Sequence, residues 1–574
     1  MVAGIFTYIA AVEISRMRLG FRKEVTSMNK GFKKTAPVAL CALAAATVAQ
    51  AASITVDPSA LKQEVVGFGG GSVYYQSWIT NLPAKDQEAL FDTAFTGLNL
   101  SLLRIGNWLQ DESNDLTDDI NIVKAAQKRL GSRLKIEMSS WSAPANLKPS
   151  GSVNGQDGHS KSDKTLKKAN GDKYGAFAYT DFASWWKRSL ETYAAAGIVP
   201  DYISLQNEPD MEATYEETLF EPTETNEIAG YKEALNAVYD AVKGKTKILG
   251  PEPLGIGYDN FEKYAGKLDN SKLDGYAYHL YHAGDGNDNS GNNYLNPENF
   301  RTPMKKIADG YGTKPIIMTE FCPMLDEPRE QDMLGLAHMM QIGFTDGKLG
   351  GYIAWQLFWG YHGQMIGVCP GAGWDLDGSN RYVCESAGFK IFPEYHAMRH
   401  YSKFVNPGWK VIDSKSDAQN LHTVAFRSAN GDSITVVAIN KASASDLTIS
   451  IDGYKPIYAV QSVEGGDKSK VITAGTSVAA PEKSITTVVF ASQTKKDSTP
   501  SATDQKSTAI YASVAAGLVN DRNAVARVFD LNGNLLWIGA KNQALNADGT
   551  LRLDIRQGMY IMRAGASSVK VLKK

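Results

Sequence analysis

The stretch YISLQNE (202–208) sets an apolar, β-branched run directly against Gln206, Asn207 and Glu208. Such a run reads as a buried strand, and the carboxylate at its tip reads as chemistry held at the strand's carboxyl end. Working outward, seven further short runs carry the same signature: VVGFGGG (65–71), SLLRIG (101–106), KIEMSSW (135–141), KILGPEP (247–253), GYAYHLY (275–281), PIIMTEF (315–321) and GGYIAWQLFW (350–359). Segments with helical periodicity lie between them, among them PAKDQEALFDTAF, YTDFASWWKRSLETYAAAG and TNEIAGYKEALNAVYDAV. The ordering implies a parallel sheet, and eight strand-helix units in this length fit a (β/α)8 TIM barrel better than an open sheet.

The pattern then changes. From about residue 407 the chain alternates short strands with turn signals, as in LHTVAFRSANGDSITVVAIN with its Asn430-Gly431 turn. The fold class is therefore α/β: a TIM barrel over 67–405 fused to a β-sandwich side domain (52–66 and 406–492), with a small C-terminal all-β module at 509–574. SITVDP (53–58) supplies the strand that enters the sandwich from the N-terminal side. Residues 493–508 lack large apolar side chains and read as a linker.

Composition excludes several classes of partner. With 60 Lys and Arg against 62 Asp and Glu, the net charge of -2 gives no general attraction to nucleic acid or anionic lipid. Residues 1–51 are a signal region: Lys30, Lys33 and Lys34 precede the apolar run 36–48, and small residues follow with cleavage expected near Ala51 or Ala52. The run is too short to span a bilayer. The first 27 residues do not fit a signal, which makes Met28 the expected start of translation. The expected localisation is secreted or cell-surface. Once Cys41 leaves with the signal, Cys322, Cys369 and Cys384 remain. Cys369 with Cys384 is the expected bridge, and three reduced thiols are the alternative.

Glu208 ends the fourth run and Glu320 the seventh, so both would stand at the mouth of the barrel, the face on which such folds do chemistry. A glycosidic bond needs a pair of this kind: one carboxylic acid protonates the departing oxygen while the other attacks or stabilises the sugar cation. Asn207 beside the acid is an amide able to bond a sugar hydroxyl.

QNEP (206–209) with TEF (319–321) resembles the acid/base and nucleophile motifs of glycoside hydrolase family 30. GFGG (67–70), LRI (103–105), SSWSAP (139–144), HLY (279–281) and YSKFVNPG (401–408) extend the resemblance to the family's xylanase branch over residues 53–492. It implies Glu208 as general acid/base and Glu320 as nucleophile of a retaining double displacement, in a barrel whose sandwich takes strands from both chain ends. It also implies Arg104 near Glu320, and a raised pKa on Glu208 from its negative partner. His279 and Tyr281 would lie close to the nucleophile, with Tyr281 donating to it; a satisfied core histidine is the competing reading of His279, and a purely structural salt bridge that of Arg104. Trp141 and Trp355 would present flat faces to pyranose rings, with plain core packing as their competing role.

One departure bears on specificity. Relatives that cut glucuronoxylan clasp a glucuronate branch with an arginine after the eighth strand, where this chain reads QLFWGYHGQM and has Trp359 in the arginine's place; Tyr361 is kept. The expected activity is thus a secreted endo-β-1,4-xylanase acting on plant cell-wall xylan without strict need for glucuronate. The alternatives are another family 30 activity, β-1,6-galactanase or exo-xylosidase, and a non-catalytic polysaccharide-binding surface protein. No metal or other cofactor is assigned: the acidic loop DGNDNSGNN (285–293) lacks the closing glutamate of a calcium loop, and His279 with His282 has no third ligand. The C-terminal module is similar to sorting or attachment domains of secreted bacterial polysaccharide enzymes, with a cell-surface or secretion-machinery contact as its implied role and an accessory carbohydrate-binding or purely stabilising module as the alternative.

Overall fold

The computed structural model describes residues 52–493, apart from 111–113, 156–157, 173, 282–295, 323–329, 361–364 and 377–380, together with parts of 525–573. After β1 (Ala52–Glu64), eight parallel strands close a barrel in chain order: β2 (Gly67–Ser72), β3 (Leu102–Gly106), β4 (Lys135–Ser139), β5 (Tyr202–Ser204), β6 (Lys247–Pro251), β7 (Gly275–His279), β8 (Ile316–Glu320) and β9 (Gly351–Ala354). Seven of the eight fall inside the runs read from the sequence, and β2 passes the end of its run by one residue. Between them run the crossover helices, of which Tyr179–Ala195 is typical. It buries Phe182, Trp185, Trp186, Ser189, Leu190 and Tyr193, one stripe at helical spacing. Among the described residues no helix is long and apolar enough to cross a membrane.

Two runs end sooner than their apolar content implies. β5 stops at Ser204, and Leu205 to Glu208 form an irregular turn. The eighth run divides: β9 ends at Ala354, and Phe358–Trp359 becomes β10, which leaves the barrel to pair with β11 (Ile366–Cys369) and through it β12 (Gly388–Ile391). The disulfide joins Cys369 to Cys384 within this excursion, and Cys322 is buried outside it with the Tyr281 hydroxyl 3.9 Å from its Sγ.

The remaining strands to residue 492 are β13 (Lys410–Ser416), β14 (Leu421–Arg427), β15 (Ser433–Asn440), β16 (Ser445–Ser450), β17 (Tyr454–Val463), β18 (Lys470–Ile472), β19 (Ser477–Ala480) and β20 (Ser484–Ser492). With β1 they form a nine-stranded sheet, β1 lying between β13 and β16. Strand periodicity explains why SITVVAIN is buried along its length. Ile434, Val436 and Ala438 face the sandwich interior, while Val437 and Ile439 join the core shared with the barrel. The helix Asp332–Thr345 is wedged into that shared core and is buried on nearly every side. At the junction Gly408 turns the chain at φ 82, and its N–H donates to Val65 O at 2.8 Å. In the C-terminal region four strands pair in the order β22 (Leu535–Ala540), β21 (Val525–Phe529), β23 (Gly558–Ala564), β24 (Ser567–Lys573). Residues 1–51, read from the sequence as a signal, and the expected linker from residue 494 onward lie outside the described residues.

Candidate active site

The barrel interior is built in layers. Val66, Leu102, Tyr202, Leu249, Ala277, Ile317 and Ile353 form an apolar plug. Two residues further along β3 and β7 the inward positions are Arg104 and His279, and the layer above the plug is ionic. Strict alternation from Ile317 would place Thr319, not Glu320, beside them. A register shift in the β7–β8 pairing puts Glu320 opposite His279 instead, so an irregular ladder aims the carboxylate inward.

Glu208 reaches the same layer from the turn after β5. Asn207 N–H donates to Ser140 O (2.7 Å), Gln206 Nε2 to Trp141 O (2.7 Å) and Glu208 N–H to Glu252 O (3.1 Å). Glu208 and Glu252 both hold left-handed backbone, φ 46 and 62, a strained state for a side-chain-bearing residue that these bonds maintain.

Arg104 is the hub. Fully buried, it donates to Glu320 Oε2 and to Asn207 Oδ1, and forms ion pairs with Glu252 (3.1 Å) and Glu137 (3.2 Å). Tyr281 OH donates to Glu320 Oε1 at 2.8 Å. His279 Nδ1 lies 2.8 Å from Glu208 Oε1, and its Nε2 faces Glu252 Oε1 at 3.5 Å, a charge contact rather than a well-aligned hydrogen bond. Oxygen atoms of Glu208 and Glu320 approach within 4.8 Å of each other.

Burial pushes the Glu208 carboxyl up to about 7; His279 opposes the shift, and the Glu320 charge adds to it less than burial does. This corrects the sequence expectation, which assigned the rise to the negative partner alone. For His279, burial favours the neutral ring, but Glu320, Glu208 and Glu252 overcome it and hold the imidazolium up to about 10. Glu252 runs the other way: burial opposes its charge, yet Arg104 and His279 draw it down to about 2. Glu137, buried and facing Glu252, is held well above the carboxylate range.

Residues 408–488 match the Glycosyl hydrolase family 30 beta sandwich domain. Over 459 residues, 77% of this chain and 89% of the relative, the sequence is 26% identical to Glucuronoxylanase XynC of Bacillus subtilis (strain 168). The chain is thus similar to members of glycoside hydrolase family 30 over about three quarters of its length. It is also 24% identical over 430 residues to Putative glucosylceramidase 1 of Caenorhabditis elegans, covering 68% of this chain and 76% of that one. The fold follows the catalytic domain of GH30 xylanase C from Talaromyces cellulolyticus at TM-score 0.59 and 18% identity, over 77% of this chain and 100% of that one.

An aromatic wall borders the carboxylates. Trp355 is half-buried, with Tyr74 (6.1 Å) and Trp359 (5.6 Å) against it. Trp141 differs from its expected role. It is 3% exposed, with the Arg104 guanidinium 4.5 Å from its ring centroid and Trp108 stacked at 5.8 Å, so core packing claims the faces meant for sugar. Tyr361 and the loop 285–293 lie outside the described residues. Glu208, His279 and Glu320 bring ligand-type atoms together, but both His279 nitrogens face carboxylates and Arg104 occupies Glu320, an ion-paired set rather than an open metal cradle.

Sequence reasoning passed over Glu137, Glu252, Tyr74 and Trp108. The two acids stand inside KIEMSSW and KILGPEP, and a charged residue at an inward strand position was the available signal. A separate cavity of about 520 Å³, lined by Asp201, Lys245, Lys247 and Asp274 among others, opens at the N-terminal ends of β5 and β6. Its two aspartates are engaged by the backbone N–H groups of Ile136 and Ile248.

Proposed function

We propose that the chain is an exported, retaining endo-β-1,4-xylanase. The observation that carries the chemistry is the approach of Glu208 and Glu320 oxygens to within 4.8 Å. Retaining glycosidases hold their two carboxyl groups about 5–5.5 Å apart, and inverting ones leave roughly 6.5–9.5 Å for a water molecule. Glu320, oriented by Arg104 and Tyr281, attacks the anomeric carbon, and the bond to the leaving sugar breaks as Glu208 gives its proton to the glycosidic oxygen. The ionised Glu208 then takes a proton from water, which cleaves the glycosyl-enzyme ester and frees Glu320. Asn207, fixed by Arg104, is suited to the sugar hydroxyl beside the reacting carbon.

Xylan as substrate is favoured by the relative named glucuronoxylanase, and independence from glucuronate by Trp359. That residue packs at 5.0 Å on Tyr75 where an arginine clasp is expected in the branch-dependent enzymes. The protein is incubated with glucuronoxylan, arabinoxylan and linear xylo-oligosaccharides, and product sizes and anomeric configuration are followed by NMR. Mixed oligosaccharides with β-anomer first are expected, at similar rates with and without glucuronate branches. First-formed α-anomer refutes retention, strict branch dependence refutes the specificity, and single xylose units refute endo action. A non-catalytic scaffold is excluded if Glu320→Gln loses hydrolysis while retaining xylan binding. N-terminal sequencing of the protein from its host tests export: a mature start near residue 52 is expected.

A further inference from the structure

We propose that Glu252 is a positioning residue for this hydrolysis, holding Arg104 and His279 so that each is presented to one of the two opposed carboxylates, Glu320 and Glu208. The inference rests on the retaining-glycosidase reading of the site. Glu252 stands one residue beyond β6, fully buried. Its Oε2 accepts from Ser139 Oγ at 2.6 Å, and its Oε1 meets Arg104 at 3.1 Å and His279 Nε2 at 3.5 Å. The backbone joins the same arrangement. Glu252 N–H donates to Ala277 O on β7 (2.9 Å), and Glu252 C=O accepts from Glu208 N–H (3.1 Å). One residue thus ties β3, β4, β7 and the Glu208 turn together without being placed against substrate.

The position requires a carboxylate. Two cations converge on Oε1, and a glutamine would offer them a neutral carbonyl while bringing N–H donors of its own. The groups that face Glu252 are Arg104 from β3, Glu137 and Ser139 from β4, His279 from β7, and the Tyr231 hydroxyl from the helix Tyr231–Val242. Of these only Arg104 and His279 are cations, and His279 is the one able to lose its charge. While Glu252 is ionised, His279 carries both protons and donates Nδ1–H to Glu208. Without that anion the ring gives up a proton, Nδ1 becomes an acceptor, and Glu208 keeps its own proton to higher pH.

The test is the pH profile of kcat/KM on xylo-oligosaccharides for wild type, Glu252→Gln, His279→Gln and the double variant. In Glu252→Gln the basic limb is expected to rise by about one pH unit, and kcat to fall at least about tenfold with KM moving less than about threefold. In the double variant Glu252→Gln adds no further shift, because the ring through which it acts is gone. A purely structural role predicts lower thermal stability with both limbs in place, and that result overturns the proposal. Should Glu252→Gln not fold, His279→Gln alone must lift the basic limb; an unmoved limb refutes the relay. The carboxyl ¹³C titration of Glu208, assigned by its loss in Glu208→Gln, reads the same shift without substrate. A protein inactive on every xylan but showing this shift refutes the activity and leaves the relay standing.

Discussion

Replacing Arg104 with methionine keeps much of the side-chain volume and removes the charge, and the structure gives the size of the effect. In the native cluster two cations, Arg104 and His279, face the two anions Glu252 and Glu320, while Glu137 and Glu208 hold protons at moderately acid pH. Arg104→Met leaves one buried negative charge in excess, and orphaning a buried ion costs about 3–5 kcal/mol. The folded protein limits the loss by binding one proton. With a free glutamate near pKa 4.3, taking that proton costs about 4 kcal/mol at pH 7 and about 1 kcal/mol at pH 5. The signs agree. In wild type Glu252 is depressed to about 2, so its contribution is present above the unfolded pKa and lost as pH falls toward 2. In the variant the excess carboxyl is raised, so stability is lost as pH climbs. Urea unfolding of both proteins at pH 5 and pH 7 measures the two gaps. A destabilisation equal at the two pH values would show that packing against Trp141 dominates and would refute the charge-balance argument.

The remaining predictions use the same residues. The basic limb of kcat/KM should lie near pH 7, because Glu208 sits at about 7 and must be protonated for the first step; full activity at pH 9 would contradict the assignment. Glu208→Ala should lose most activity on xylan yet keep glycosyl-enzyme formation on substrates with an activated leaving group, as mass spectrometry can detect; an unimpaired variant on xylan sinks its role as acid. Trp355→Ala should raise KM roughly 2- to 12-fold with a smaller change in kcat, since it removes a stacking surface and no reacting group; equal loss in kcat would argue otherwise. Cys369→Ser should destabilise by about 3 kcal/mol, the entropy of a loop spanning 15 residues, and lower the unfolding temperature of the region around Trp374. That ring packs at 5.2 Å on Trp78 and donates to Gly360 O.

The eight barrel strands were legible because each is a short apolar run closed by polar residues, and their alternation with helical periodicity leaves few topologies. Glu208 and Glu320 were legible as strand-end acids. What the sequence does not display is register. Period-two reading from Ile317 through Met318 would turn Glu320 away from the mouth, and only the shift in the ladder against β7 brings it inward. Nor does sequence show the ionic layer. Arg104 meets Asn207 and Glu320 across 103 and 216 positions, and such partners become neighbours only when the barrel closes. Trp141 was read as a sugar platform because its position is right for one. The structure spends its face on a guanidinium that no local pattern connects to it.

An apolar plug beneath an ionic layer explains how a barrel interior tolerates so many buried charges. Leu102, Leu249, Ala277, Ile317 and Ile353 close the barrel from below and keep water from that side of the cluster. In that low-dielectric setting each ion is affordable only with a partner, which fixes Arg104 and His279 in place and through them the two carboxylates. Burial that would be a liability for Glu208 alone is what keeps its proton available near neutrality, while donors from Arg104 and Tyr281 hold Glu320 as an acceptor. The left-handed backbone at Glu208 and Glu252 belongs to the same arrangement. Their turns are tied to each other by one hydrogen bond, so relaxing either would withdraw a carboxylate from a cluster whose charges balance only when all are present.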